Sequence, residues 1–220
     1  MAATSRDTTA GGMTHRMTDD APLEFTPRAL VAAAVQTIRN PREGAVRVIR
    51  TGLPVPVLWT MLAAVVSASV VMGQGTLIVT TQGGALANPY LANPLVMCAI
   101  QLGLLVVMVY AIHTIGGWMG GQGAFEDSLA LVVWLQFVMA CLQVVQTAAL
   151  FVLPPVADVI GLVGLVLFLW LLTHFIAAAH GFRSLGMVFV MILVSAFGIT
   201  FVMSLVLALF GIASPGDFNV

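Results

Sequence analysis

Residues 94–115 read PLVMCAIQLGLLVVMVYAIHTI, a run without a single Asp, Glu, Lys or Arg. Wound as a helix at about 1.5 Å per residue, it is long enough to cross the roughly 30 Å of hydrocarbon in a bilayer. A charged side chain at the bilayer centre costs about 2.5–3.5 kcal/mol on insertion scales, so the missing charges carry as much information as the apolar residues. Working outward, four further stretches have the same character, near 54–73, 127–152, 158–178 and 186–211. The sequence thus predicts an all-α integral membrane protein, with five transmembrane helices preceded by an amphipathic interfacial helical arm.

Composition agrees. Of 220 residues, 60% are hydrophobic and 8% charged, against about 45–50% and about 25% in soluble domains; mean hydropathy is +1.06. Water-soluble enzymes, disordered tails, secreted disulfide scaffolds and nucleic-acid binders with broad basic surfaces are excluded. Cys98 and Cys141 lie inside apolar runs without CxxC or Cys/His spacing, so neither redox nor zinc chemistry is indicated, and no cofactor is expected.

All eight basic residues are arginine, and seven of them precede the first apolar run. This exclusive usage suits a GC-rich bacterial genome. Arg28, Arg39, Arg42, Arg47 and Arg50 flank the first span, and the segments on the opposite side hold no arginine. The positive-inside rule then places the N-terminus in the cytoplasm of a bacterial inner membrane and, after five crossings, the C-terminus outside.

Residues 1–24 are polar and are expected to be disordered, with Met13 and Met17 as alternative starts. Residues 25–53 are expected as a cytoplasmic arm. Thr26-Pro27 and Asn40-Pro41 have the residue types of helix starts, and Leu30, Val31, Ala34, Val35 and Ile38 form an apolar stripe. Two short helices in the membrane interface follow, with Arg39, Arg42, Arg47 and Arg50 reaching for the phosphates of anionic lipid headgroups. Residues 54–211 form the five-helix unit and 212–220 a short external tail. The outer connection 74–93 is uncharged and is expected along the bilayer surface, ending at a cap made by Asn93-Pro94. Leu153-Pro154-Pro155 makes spans three and four a hairpin.

Polar residues inside the spans are candidates for function. Gln136, Gln143 and Gln146 share a face of span three, and Gln101 adds an amide in span two. They point into the bundle or at a partner, or line a polar path. Ala196, Thr200, Ser204 and Ala208 recur every four residues in span five, a ladder along which another helix can approach closely. Glu126, Asp127 and Asp158 open helices, where a carboxylate meets free amides and the positive end of the dipole. His113, His174 and His180 sit toward one end of the bundle. His174 and His180 are six apart and cannot form an i,i+4 ligand pair, and no HExxH is present.

Between spans two and three runs Gly116-Gly117-Trp118-Met119-Gly120-Gly121-Gln122-Gly123-Ala124-Phe125-Glu126-Asp127. It follows a helix and has no Lys-Ser/Thr, so it is not a phosphate-cradling loop. Its Gly120-Gly121-Gln122-Gly123-Ala124-Phe125 resembles the glycine-glycine-x-glycine-x-phenylalanine signature of the Yip domain family, named for Ypt/Rab-interacting proteins. The arm around Asn40-Pro41-Arg42 and the segment Trp170–Gly186 with His180-Gly181-Phe182 resemble the corresponding parts of bacterial members, so the likeness covers roughly residues 25–211. Many relatives have a proline near the middle of span three, where this chain has Leu135-Gln136-Phe137. The resemblance implies a five-span bundle with a cytoplasmic N-terminus. Eukaryotic relatives are adaptors that bind prenylated Rab GTPases; a bacterial relative has no Rab system to serve.

The leading functional reading is a non-enzymatic membrane adaptor, scaffold or accessory subunit. It contacts membrane lipids and another membrane protein or a second copy of itself, and no nucleic acid. The family-motif loop Gly120, Gly121, Gly123, Phe125, Glu126 and Asp127 contributes a surface, as do the ladder and the glutamine face. A second reading is a small transporter or channel with a glutamine-lined path. A third is an intramembrane haem or metal protein using His113 and His174.

Overall fold

The computed structural model describes residues 26–80 and 93–209. The expectations for 1–24, for 81–92 and for 212–220 lie outside the described residues. Seven helices are described: α1 (Pro27–Arg39), α2 (Pro41–Ile49), α3 (Val55–Thr80), α4 (Pro94–Trp118), α5 (Phe125–Val152), α6 (Pro154–His180) and α7 (Leu185–Leu209). The last five are long and apolar enough to span a membrane, and no strand occurs among the described residues.

Helix starts follow the local chemistry. The Thr26 hydroxyl accepts the Ala29 amide at 3.3 Å, and the Asn93 carboxamide oxygen accepts the Leu95 amide at 2.9 Å, each ahead of a proline that has no N–H to lose. Two boundaries depart from the sequence reading. Helix α3 continues to Thr80, so residues 74–80, expected in the outer connection, are helical. Gly73 and Gly75 look like a stop, but hydrocarbon offers an unwound backbone no partners and outweighs the roughly 1 kcal/mol that each glycine costs a helix. Helix α6 begins at Pro154, directly after Leu153, which puts Asp158 beyond the first turn and exposed rather than at a cap.

Helix α5 is the hub and packs against α6, α3, α4, α2 and α1, while α7 rests mainly on α6. Burial is concentrated at one end of the bundle. Ser128–Leu135 of α5 and Leu171–Ala177 of α6 are buried without a break. A helix contacted from one side buries only a stripe, so two unbroken turns require cover all round. The cover is the arm.

Helices α1 and α2 fold back as a hairpin on this end and bury Ala33, Ala34, Thr37, Ala45 and Val48. Of the expected apolar stripe Leu30, Val31, Ala34, Val35 and Ile38, only Ala34 is buried by this docking. The buried face is turned toward the small residues Ala33 and Ala34, which allow close approach, and Val31, Val35 and Ile38 stay 49%, 48% and 37% exposed.

Candidate functional site

Arm, glycine-rich loop and the α6–α7 turn meet at the covered end of the bundle. The glycines there have distinct jobs. Helix α4 closes with Gly121 N–H donating to the Gly116 carbonyl at 2.9 Å and Gly120 N–H to the Gly117 carbonyl at 3.0 Å. Gly120, at φ +85°, supplies the left-handed residue of this Schellman turn. Helix α6 ends the same way, with Phe182 N–H on the Ala177 carbonyl at 3.0 Å and Gly181 at φ +73°.

The loop expected as a flexible connection is a tight cradle for one imidazole. A Cβ on Gly116 would overlap the His180 ring, one on Gly121 would lie within 2.6 Å of the His180 side chain, and one on Gly123 would come within 2.8 Å of the Ala179 carbonyl. Only glycines let the loop backbone close over His180, which is 5% exposed. The ring bonds through Nδ1 to the Ile176 carbonyl at 3.3 Å and stacks on Phe182 at 5.7 Å and 9°. Two pieces of sequence noted separately, the glycine signature and His180-Gly181-Phe182, are therefore one contact.

Phe125 of the motif anchors the other side, with its ring edge-on to His113 at 5.8 Å and 5.3 Å from Tyr110. Asp127 accepts the Ala124 amide at 3.3 Å, half of a capping box. Glu126 is exposed.

Two hydrogen bonds tie the arm to the bundle, through Thr37 and Arg42, and two more brace it internally. The Trp134 indole N–H donates to the Thr37 hydroxyl at 3.1 Å, and that hydroxyl donates to the Ala33 carbonyl at 2.8 Å. Arg42 donates to the Phe182 carbonyl at 3.1 Å, and Arg47 to the Gln36 carboxamide oxygen at 2.7 Å. A Cβ on Gly44 would fall 2.6 Å from the Thr37 hydroxyl oxygen, which marks where α1 and α2 touch. Of the four arginines assigned to lipid phosphate, Arg42 and Arg47 thus direct donors to protein, and Arg39 and Arg50 are exposed.

The glutamines are not brought together. Gln143 donates to the Ser69 carbonyl of α3 at 3.0 Å, and Gln146 to the Ala157 carbonyl of α6 at 3.3 Å, where Gly161 leaves room for it. They tie α5 to two different neighbours instead of lining a common path, and Gln136 is half-buried. Gln101 and Gln143 do share the wall of a groove between α3, α4 and α5.

In α7, Ala196, Thr200 and Ser204 are exposed, and the surroundings of Ala208 lie outside the described residues. His174 bonds the Trp170 carbonyl of its own helix at 2.8 Å and lies against the Trp170 ring at 4.2 Å. Among the described residues no group of three or more His, Cys, Asp or Glu is placed to hold a metal ion.

A family model described as the Yip1 domain matches residues 35–211. Neither curated proteins nor solved structures give a match.

Proposed function

This chain belongs to the Yip1 domain family, and from that premise we propose that it is a non-enzymatic membrane adaptor or scaffold whose partner surface is the arm-covered end of the bundle. One observation supports this reading above the others. The arm is hydrogen-bonded to α5 and to the α6–α7 turn, yet keeps Val31, Val35, Ile38 and Val46 exposed, so an apolar face is held in a fixed position with its other side already occupied. Trp118, 83% exposed, lies at the same end, where the glycine loop leaves α4. Fixed apolar residues among arginines suit a protein partner at the membrane surface.

In this proposal the arm lies at the cytoplasmic face of a bacterial inner membrane, where Arg39, Arg42, Arg47 and Arg50 contribute positive charge toward anionic headgroups. The exposed ladder Ala196, Thr200 and Ser204 offers the bilayer-embedded part of the same partner, or a second copy, a close helix contact.

Purification from native membranes in mild detergent tests the proposal. A stoichiometric second chain, or a homo-oligomer, is expected with the unaltered protein and is expected to be lost with Val35→Asp at unchanged thermal stability. Repeated recovery of a lone monomer contradicts it.

A further inference from the structure

Away from the arm, in the opposite half of the bundle, a groove of about 470 Å³ opens between α3, α4 and α5. Ser69, Gln74, Gln101 and Gln143 contribute its polar atoms, and Val70, Leu77, Ile100 and Leu104 are among its apolar ones. Ser69, Gln101 and Gln143 keep polar atoms without a partner among the described residues. Ser69 is 5% exposed, and its hydroxyl oxygen is buried with no hydrogen-bond partner. Its carbonyl is taken by Gln143, whose carboxamide oxygen accepts nothing among the described residues. The half-buried Gln101 amide makes no hydrogen bond among the described residues.

Depth makes this significant. In helices centred on a bilayer of about 30 Å, Gln101 on α4 and Gln143 on α5 both come out about 8 Å inside the same hydrocarbon boundary. Water is scarce there and acyl chains offer no hydrogen bonds, so amides and a hydroxyl left open at that level call for a partner. No charged residue lines the groove, which argues against an ionic ligand. Its flank is continuous with lipid-facing surface, since Ile100 and Leu104 are 45% and 56% exposed. A glycerolipid has the matching anatomy. Its ester oxygens sit at the boundary, where a glutamine rooted about 8 Å below can meet them with an extended side chain of about 5 Å and a hydrogen bond of about 3 Å, and its acyl chains can run along Ile100 and Leu104.

We propose that this groove is a binding site for the uncharged glycerol–ester portion of a neutral glycerolipid, with Ser69, Gln101 and Gln143 as its hydrogen-bonding residues.

The test uses the full chain in phospholipid vesicles with a photoactivatable diacylglycerol. Labelling is expected in residues 69–77 and 97–104, and to fall about fivefold in Gln101→Leu and in Ser69→Ala, the effect of losing roughly one net hydrogen bond. It is expected to persist in Gln146→Leu, whose amide serves the α5–α6 contact. Unlabelled diacylglycerol should compete and soluble glycerol should not. Labelling spread evenly over the lipid-facing helices, or unchanged in Gln101→Leu, overturns the proposal. Competition by glycerol makes a free polyol the occupant and overturns the assignment to a lipid. Because Gln101 makes no hydrogen bond among the described residues, its variant is expected to fold normally, and unchanged thermal unfolding separates lost binding from lost structure.

Discussion

The Trp134 indole donates to the Thr37 hydroxyl at 3.1 Å across 97 positions of sequence, inside the protein. That bond fixes the arm to the hub helix. Thr37→Val keeps the shape and strands the indole N–H, which should cost about 1–3 kcal/mol, whereas Thr37→Ser should cost less because the acceptor remains. Thermal unfolding gives the ranking. Hydrogen exchange over residues 27–49 shows whether the arm loosens first.

Gly44→Ala separates helix propensity from packing. In an exposed helix the change would stabilise by about 1 kcal/mol, but here the new methyl meets Thr37, and overpacking typically costs about 1–3 kcal/mol. Net destabilisation is expected. It should shrink in a Thr37→Ala background, where the hydroxyl and methyl are gone and only the Cβ of residue 37, at 2.9 Å, remains close, as a double-mutant cycle in unfolding would read out.

Neighbouring glycines of the loop should behave oppositely. Gly116→Ala drives a methyl into the His180 ring, while Gly117→Ala meets nothing within 4 Å. The first is expected to destabilise by several times RT, about 2 kcal/mol or more, and the second to be neutral or to stabilise by up to about 1 kcal/mol. Equal effects on thermal unfolding would rule out the cradle.

Gln143→Leu and Gln146→Leu break contacts with different helices, so their effects should add. Each is expected to cost about 0.6–1 kcal/mol, as is typical of interhelical hydrogen bonds in membranes, and the double variant about their sum. Unfolding in detergent checks this, and a strongly non-additive pair would return the two glutamines to a shared site.

The five long helices were legible because charge is excluded from hydrocarbon whatever the tertiary fold, as residues 94–115 show. Caps at Thr26 and Asn93 were legible for the same local reason. The end of α3 was not, since Gly73-Gln74-Gly75 signals a turn only where water can satisfy an opened backbone. Docking of the arm was hidden because Thr37 and Trp134 are far apart in sequence and their pairing leaves no periodic trace. The seat of His180 left one usable signal: the glycine signature and His180-Gly181-Phe182 both carried the family resemblance, and residues marked together are candidates to touch. The sequence puts the glutamines of α5 on one helix face, but three amides on one face do not reveal that two of them bond different neighbours.

Sidedness is the most direct test of the whole arrangement, because arm and glycine loop must share one face and the α5–α6 turn the other. Single cysteines at Arg39, Gln122 and Leu153, in a background with Cys98→Ala and Cys141→Ala, can be probed in intact cells with a membrane-impermeant maleimide. Labelling at 153 alone, with 39 and 122 reacting only after permeabilisation, is expected; reaction of 39 and 153 from the same side would contradict the arrangement.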